Sequence, residues 1–347
     1  MRQSRGISGP FKQCNFELFA ITFSDQTLLF ILLSFGAAFV NGGLGYGYSS
    51  ISIPIVTLFV ALATANPAYV LVELILNLVM LVFVGKKRIQ ATFRRALPII
   101  IALLPGVVIG TLILGFFTKT IQTSVGNEVK FFAYVALLPL ILLAVAGFRR
   151  PIKGELKAGI PLGVGTGLLY SLTTISGPPI ALFWNNQGLS KDEFKAAIAQ
   201  IRVAESGFTF LLYFFISGYY SGSNAGAVFS LFTTIAPSVL IGIPIGMIVI
   251  RKLSIETFRR VAMNFDAIIV SFGISQILIK FGVSESLSYA FWFVVIAIDL
   301  ALFVRYMRNR KSVAEVSTFP VGSQEMTPAK DTQIKAWFRN RIRSLRG

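Results

Sequence analysis

One glycine- and hydroxyl-rich stretch occurs twice in the chain, and its copies start 124 residues apart, at Asn41 and at Gly165. The copies read Asn41-Gly-Gly-Leu-Gly-Tyr-Gly-Tyr-Ser-Ser-Ile-Ser-Ile-Pro54 and Gly165-Thr-Gly-Leu-Leu-Tyr-Ser-Leu-Thr-Thr-Ile-Ser-Gly-Pro178. Each copy interrupts a run of apolar residues with glycines, hydroxyl side chains and a proline, a combination that breaks a helix and leaves backbone groups unpaired. The repetition therefore predicts two broken helices at equivalent positions of a duplicated chain.

The composition around these stretches is that of an integral membrane protein. Of the 347 residues 54% are hydrophobic and 14% are charged, whereas soluble domains carry roughly 25% charged residues. The net charge of +17 comes from basic residues that lie between and after the apolar runs. Such clusters mark cytoplasmic loops of membrane proteins, so we interpret them as membrane anchors and expect no nucleic-acid partner.

Cysteine and histidine are almost absent. Cys14 is the only cysteine, and the chain has no histidine. This composition excludes a disulfide framework, an iron–sulfur cluster, a Cys/His zinc site and a Ser-His-Asp triad. We therefore expect neither a metal nor another cofactor.

Eleven apolar runs predict an all-α, polytopic fold. The first ten form two sets of five, and in each set two short runs flank the glycine-rich stretch while three have about the 20 residues that a spanning helix needs. We expect the following organisation: a polar N-terminal tail (1–26), a first repeat (27–148), a cytoplasmic linker (149–158), a second repeat (159–281), an extra transmembrane helix (287–307) and a basic cytoplasmic tail (308–347).

The basic loops also predict the orientation of the two repeats. If Lys86–Arg95, Arg149–Lys153 and Lys191–Lys195 are all cytoplasmic, the stretch 159–188 enters the bilayer and returns to the same face. The same reasoning places both ends of 27–62 outside. The sequence thus predicts an inverted repeat, each copy a broken-helix hairpin followed by three spanning helices.

The two breaks are the candidate binding site. Helix N-termini present unpaired N–H groups and partial positive charge, and Ser or Thr hydroxyls add donors, so two such termini suit an anion. The alternative is that the small residues serve only close helix packing. The candidate substrate-binding residues are Asn41, Gly42, Gly43, Tyr46, Ser49, Ser50, Ser52, Tyr170, Thr173, Thr174, Ser176 and Gly177.

Four polar residues inside the spans are candidates for coupling or charge: Glu73, Asn77, Arg202 and Glu205. Ionisable groups at membrane depth are costly and are usually functional or paired. Arg202 and Glu205 lie three residues apart, which allows a local ion pair. The alternative is that Arg202 supplies a positive charge near an anionic substrate, and that Glu73, in the equivalent helix, couples transport to protons.

The basic C-terminal tail has two interpretations. Ile334, Trp337 and Ile342 fall near one face of a helix whose other side is basic, which suits a helix on an anionic inner leaflet. The alternative is a disordered basic tail.

These motifs resemble those of the sulfite exporter TauE/SafE family of membrane transporters. The resemblance covers about residues 27–281 and rests on the two glycine-rich breaks and on a second repeated element, Leu104-Pro-Gly-Val-Val-Ile-Gly110 and Ala236-Pro-Ser-Val-Leu-Ile-Gly242. It implies a small sulfur-containing anion such as sulfite, thiosulfate or an organosulfonate as the substrate.

We therefore expect a secondary transporter in the plasma membrane that works by alternating access, and not an enzyme. An anion channel and a membrane-embedded enzyme are the alternatives.

Overall fold

A computed structural model describes residues 11–120, 125–146, 154–185, 187, 189–251 and 255–317, with side chains for 26–116, 127–146, 154–184, 187, 189–249 and 260–308. Within these residues the chain is helical. The helices are α1 (Phe11–Leu44), α2 (Tyr48–Phe59), α3 (Leu62–Val84), α4 (Lys86–Thr120), α5 (Val125–Val145), α6 (Glu155–Thr173), α7 (Gly177–Asn185), α8 (Lys191–Leu212), α9 (Ala225–Arg251), α10 (Ile255–Lys280) and α11 (Glu285–Ser317), with a π-helical turn at Tyr213–Ser217.

The helix order confirms the predicted polytopic, all-helical fold. Seven helices of the described chain are long and apolar enough to cross a membrane: α1, α3, α4, α5, α9, α10 and α11. The helix α8 is not among them, because its sequence carries charged residues, including Arg202 and Glu205 at mid-length. The short apolar helix α2 and the nine-residue α7 follow the two breaks, as predicted.

Some bounds differ from the predicted runs. The helix α1 begins at Phe11, inside the stretch assigned to a polar tail, and α11 continues to Ser317. The first arm of the first hairpin is therefore longer than the short run predicted before the first glycine-rich stretch. The amphipathic segment 334–345 lies outside the described residues. By its contacts the chain divides into residues 1–303, which hold the helical core, and residues 304–347.

The two arms of the first hairpin fold back on each other. The ring of Phe30 on α1 lies 6.1 Å from that of Phe59, the last residue of α2. Tyr48 at the start of α2 donates a hydrogen bond to Ser34 over 3.4 Å. Because Phe30 lies several turns before the break and Phe59 lies several turns after it, α2 runs back along α1.

The second hairpin closes around one arginine of α4. Arg95 binds Glu155, the first residue of α6, through its Nε atom at 2.9 Å. Its guanidinium also lies 5.5 Å from the ring centre of Trp184, near the end of α7. The start of α6 and the end of α7 therefore reach the same place.

Equivalent helices of the two halves run antiparallel. Tyr220, beyond the end of α8, donates to the carbonyl of Pro67 near the start of α3 over 3.0 Å. At the other end Arg88, just after α3, pairs with Asp192 in the first turn of α8 at 2.6 Å. The helices α3 and α8, third in their respective halves, thus point in opposite directions.

The same holds for α5 and α10, the fifth helices. Arg260 near the start of α10 donates to the carbonyl of Val145 at the end of α5 over 2.6 Å. Phe131 near the start of α5 lies 5.6 Å from Phe281, just past the end of α10. Opposite directions in both equivalent pairs are what an inverted repeat requires.

Glycines of the second repeated element hold the two halves together. A Cβ atom at Gly110 of α4 would lie 2.9 Å from the carbonyl oxygen of Leu168 on α6. A Cβ atom at Gly242 of α9 would lie 2.8 Å from the carbonyl oxygen of Phe35 on α1. The fourth helix of each half, α4 or α9, therefore packs with its backbone in contact with the first helix of the other half, α6 or α1. Small residues permit such close packing in membranes.

Candidate functional site

The first break is made by glycines in left-handed backbone conformations. The helix α1 ends at Leu44, and Gly45 and Gly47 have φ values of 87° and 108°. Only glycine adopts such angles without strain, so the chain leaves one helix and starts the next within three residues. No side chain caps the N-terminus of α2. The first amides of α2 therefore face the break as hydrogen-bond donors without an intrahelical partner.

The second break has a different chemistry. The helix α6 ends at Thr173, Thr174 takes a left-handed conformation, and α7 begins at Gly177. Pro178 and Pro179 occupy the next two positions of α7, and proline has no N–H group. The two helix starts are thus unequal: the break before α2 offers amides, whereas the break before α7 offers mainly the hydroxyl of Ser176.

Thr174 is the one described non-glycine residue with positive φ, at 59°. A left-handed conformation costs a residue with a Cβ atom about 1–2 kcal/mol. We expect Thr174→Gly to raise the melting temperature of the purified protein by relieving this strain. Thr173→Gly is the matched control, because Thr173 is helical and glycine lowers helix stability by about 1 kcal/mol. A lower melting temperature for Thr174→Gly than for the wild type would contradict the assigned backbone conformation.

The two breaks meet in the core. A Cβ atom at Gly177 would lie 3.2 Å from the Cβ of Tyr46, and α2 packs on α7. Arg202 of α8 connects them: its Nη1 donates to Ser176 over 3.1 Å, and its Nη2 donates to Ser49 over 3.4 Å. One guanidinium therefore contacts a hydroxyl from each break.

Arg202 is itself buried, with 1% of its surface exposed. Its Nη2 forms an ion pair with Oε1 of Glu73 on α3, which is buried to the same extent. The guanidinium also lies 5.6 Å from the ring centre of Tyr170, within the range of a cation–π contact. A desolvated arginine of this kind is stable only because a carboxylate and hydroxyls compensate its charge.

The local ion pair considered for Arg202 and Glu205 is not what the structure shows. The partner of Arg202 is Glu73, from the other half of the chain. Glu205 instead accepts a hydrogen bond of 2.5 Å from Ser176, and its Oε1 accepts none from a described residue. The spacing in sequence placed both residues on one face of α8, but the packing of α3 against α8 brings Glu73 to Arg202 instead.

Asp266 of α10 is a buried carboxyl group beside the first break that the sequence did not single out. It is buried and accepts a 3.1 Å hydrogen bond from Ser50, whose hydroxyl also lies 3.3 Å from the carbonyl of Gly47. The only signal in the sequence was a lone carboxylate inside an apolar run. Its partner lies 216 residues earlier, at a distance that no periodicity reveals.

In the described structure no hydrogen bond joins Arg202 to the remaining predicted residues. Hydroxyls of Ser52, Thr173 and Thr174 bond to carbonyls of their own helix or neighbour, as does the amide of Asn77. Near the end of α1, Lys195 donates to the carbonyl of Gly42 over 3.2 Å, and Gly43 is buried beside it. Both polar side-chain atoms of the buried Asn41 make no hydrogen bond to the described residues.

No group of three or more metal-ligating side chains occurs among the residues that the structure describes. The site therefore consists of hydroxyls, carboxylates and one guanidinium. A polytopic helical bundle in which two broken helices from opposite halves meet at buried polar groups has the architecture of a secondary membrane transporter.

The comparisons with known proteins agree with this class. The family described as sulfite exporter TauE/SafE matches residues 30–272, and the chain belongs to that family. The resemblance seen in the sequence is thereby confirmed, and the protein is a multi-pass integral membrane transporter. No curated protein and no solved structure matches the chain.

Proposed function

We propose that the protein is a secondary transporter of a small sulfur-containing anion that works by alternating access, with the substrate bound between the two helix breaks. Sulfite, thiosulfate and organosulfonates are the candidate substrates. The observation that carries this proposal is the contact of Arg202 with Ser49 and Ser176, one hydroxyl from each half. A movement of one half against the other would change this contact, so binding at Arg202 and the exposure of the site are linked.

The donors at this centre suit an oxyanion. The guanidinium already binds one oxyanion, the carboxylate of Glu73, and a substrate oxyanion can take over the same kind of contact. Further donors lie at the first break: the first amides of α2 and, one turn before Gly45, the unbonded amide of Asn41. A buried polar group without a partner costs about 1–3 kcal/mol, so a solute that satisfies Asn41 gains that energy.

The burial of the site favours a transporter over a channel. Arg202, Glu73 and Glu205 are each at most 1% exposed, so the described residues cover the centre. A channel requires a continuous open path for its ion, whereas alternating access passes through a closed state. Saturable flux with counterflow would support the transporter, and non-saturating flux would support the channel.

The experiment that tests the function is solute uptake into proteoliposomes. The panel contains sulfite, thiosulfate, sulfate, taurine and sulfoacetate, each with and without a pH gradient. We expect saturable uptake of at least one sulfur-containing anion. Uptake of none of them, from protein that is folded and monodisperse, would refute the proposal.

Removing one hydroxyl of the centre should weaken transport. We expect Ser176→Ala to raise the half-saturating concentration by about tenfold or more, because a hydrogen bond involving a charged group contributes about 1.5–3 kcal/mol. Ser271→Ala is the matched control, since Ser271 is buried but bonds only within α10 in the described structure. Equal uptake by the two variants would remove Ser176 from the binding site.

A further inference from the structure

The charges at the centre do not balance when every group is ionised. Glu73 and Glu205 bring two negative charges, and Arg202 brings one positive charge. All three side chains are buried, so water screens these charges little. A centre with a net charge of −1 repels an anion, and one carboxylate therefore has to lose its charge before an anion binds at Arg202.

The single hydrogen of the Ser176 hydroxyl gives a second reason why a carboxylate has to be neutral before an anion binds. Ser176 accepts from Nη1 of Arg202 and donates its hydrogen to Oε2 of Glu205. While Glu205 is ionised, this hydrogen is not available to a substrate. When Glu205 carries a proton, the acid group no longer needs a donor, and the hydroxyl of Ser176 can turn to an oxyanion.

The groups near Glu205 come from α8 itself and from the helices that pack against α8. Glu73 of α3 and Tyr170 of α6 are the titratable groups near it, with Arg202 on α8 itself. Thr166 of α6 and Ser176 are its uncharged polar neighbours.

Other charged groups on these helices are engaged elsewhere. On α8 Lys195 lies nearly three turns before Glu205 and donates to the carbonyl of Gly42. At the start of α4 Arg88 pairs with Asp192 and Arg95 with Glu155, and Tyr213 of the π-helical turn donates to the carbonyl of Ser171.

Of the two carboxylates, Glu205 is the one that can take the proton at lower cost. Glu73 forms the ion pair with Arg202, so a proton on Glu73 would break that pair and leave the buried guanidinium uncompensated. Glu205 forms no ion pair in the described structure, and its Oε1 accepts no hydrogen bond there. We propose that Glu205 is the coupling residue, and that each anion binds together with one proton on Glu205. This inference rests on the proposed anion transport.

The coupled step has a defined stoichiometry. One proton bonds to a carboxylate oxygen of Glu205, and one anion enters the centre on the guanidinium of Arg202. Both leave on the other side, so a monoanion moves without net charge and a dianion moves with one net negative charge. The transporter is then a proton–anion symporter whose direction follows the two gradients.

The test is the pH dependence of thiosulfate binding to purified protein in nanodiscs. Thiosulfate keeps its charge across the working range, from about pH 5.5 to about pH 8.5, so a pH dependence of its binding reports on the protein. We expect the dissociation constant of the wild type to rise about tenfold per pH unit on the alkaline side, as linkage to one proton requires. Glu205→Gln, a neutral mimic of the protonated acid, should bind with the affinity of the acidic limit at every pH.

One further variant and one further measurement make the result decisive. Glu193→Gln, in the partly exposed first turn of α8, should keep the pH profile of the wild type. In pyranine-loaded liposomes, thiosulfate entry should acidify the lumen with the wild type and not with Glu205→Gln. A wild-type slope in Glu205→Gln, or wild-type thiosulfate entry without proton uptake, would overturn the coupling. If thiosulfate, sulfoacetate and sulfite all fail to bind the wild type, the proposed function itself fails.

Discussion

Arg202→Gln is expected to destabilise the protein and to abolish transport, whereas the double variant Glu73→Gln/Arg202→Gln should fold and still not transport. Removing one partner of a buried ion pair leaves the other charge uncompensated, which costs about 3–5 kcal/mol. In the double variant both groups are neutral amides, and the cost of an uncompensated charge disappears. The measurements are the melting temperature in detergent and the uptake of the anion that the wild type transports.

The comparison of the two variants separates stability from function. If the guanidinium only holds the helices together, the double variant should recover transport along with its melting temperature. If the guanidinium binds the anion, recovered folding leaves transport absent. Arg95→Gln is the control, because the pair of Arg95 with Glu155 lies at a partly exposed position and such pairs contribute about 0–1 kcal/mol. An Arg202→Gln protein as stable as the wild type would contradict the buried pair.

The positions of the two breaks could be predicted because they depend only on residues that are close together in the sequence. Glycine, hydroxyl residues and proline break a helix wherever they cluster, and their repetition marks both halves at once. The structure places the new helix starts at Tyr48 and Gly177, inside the two repeated stretches. The inverted orientation followed from basic loops, which act over a few residues and need no knowledge of packing.

The partners inside the site could not be predicted, because they depend on contacts between distant segments. Sequence spacing favoured Glu205 as the neighbour of Arg202, yet Glu73, 129 residues away, forms the ion pair. The link between Ser50 and Asp266 was missed for the same reason. The second helix start shows a finer limit. We expected unpaired amides at both helix starts, but Pro178 and Pro179 have no N–H groups and deplete the second set.

Gly167→Val should have the second large effect, because Gly167 is where α6 crosses α4 at backbone distance. A Cβ atom there would lie 3.1 Å from the backbone nitrogen of Val107 and closer still to the carbonyl oxygen of Leu103, and neither backbone group can turn aside. Overpacking a tight core costs typically about 1–3 kcal/mol, and the two extra methyl groups of valine put the penalty at the upper end. We expect little monodisperse protein and a strongly lowered melting temperature.

Gly165→Ala supplies the matched control for this close approach, since it lies on the same helix two residues earlier. No atom lies within 4 Å of a Cβ atom at Gly165, so alanine meets open space and gains about 1 kcal/mol of helix propensity. The expected order of melting temperatures is Gly165→Ala at or above the wild type, then Gly167→Ala, then Gly167→Val. Equal stability of the two alanine variants would mean that α4 and α6 are not in backbone contact. The halves would then lack the close packing on which the meeting of the two breaks at Arg202 depends.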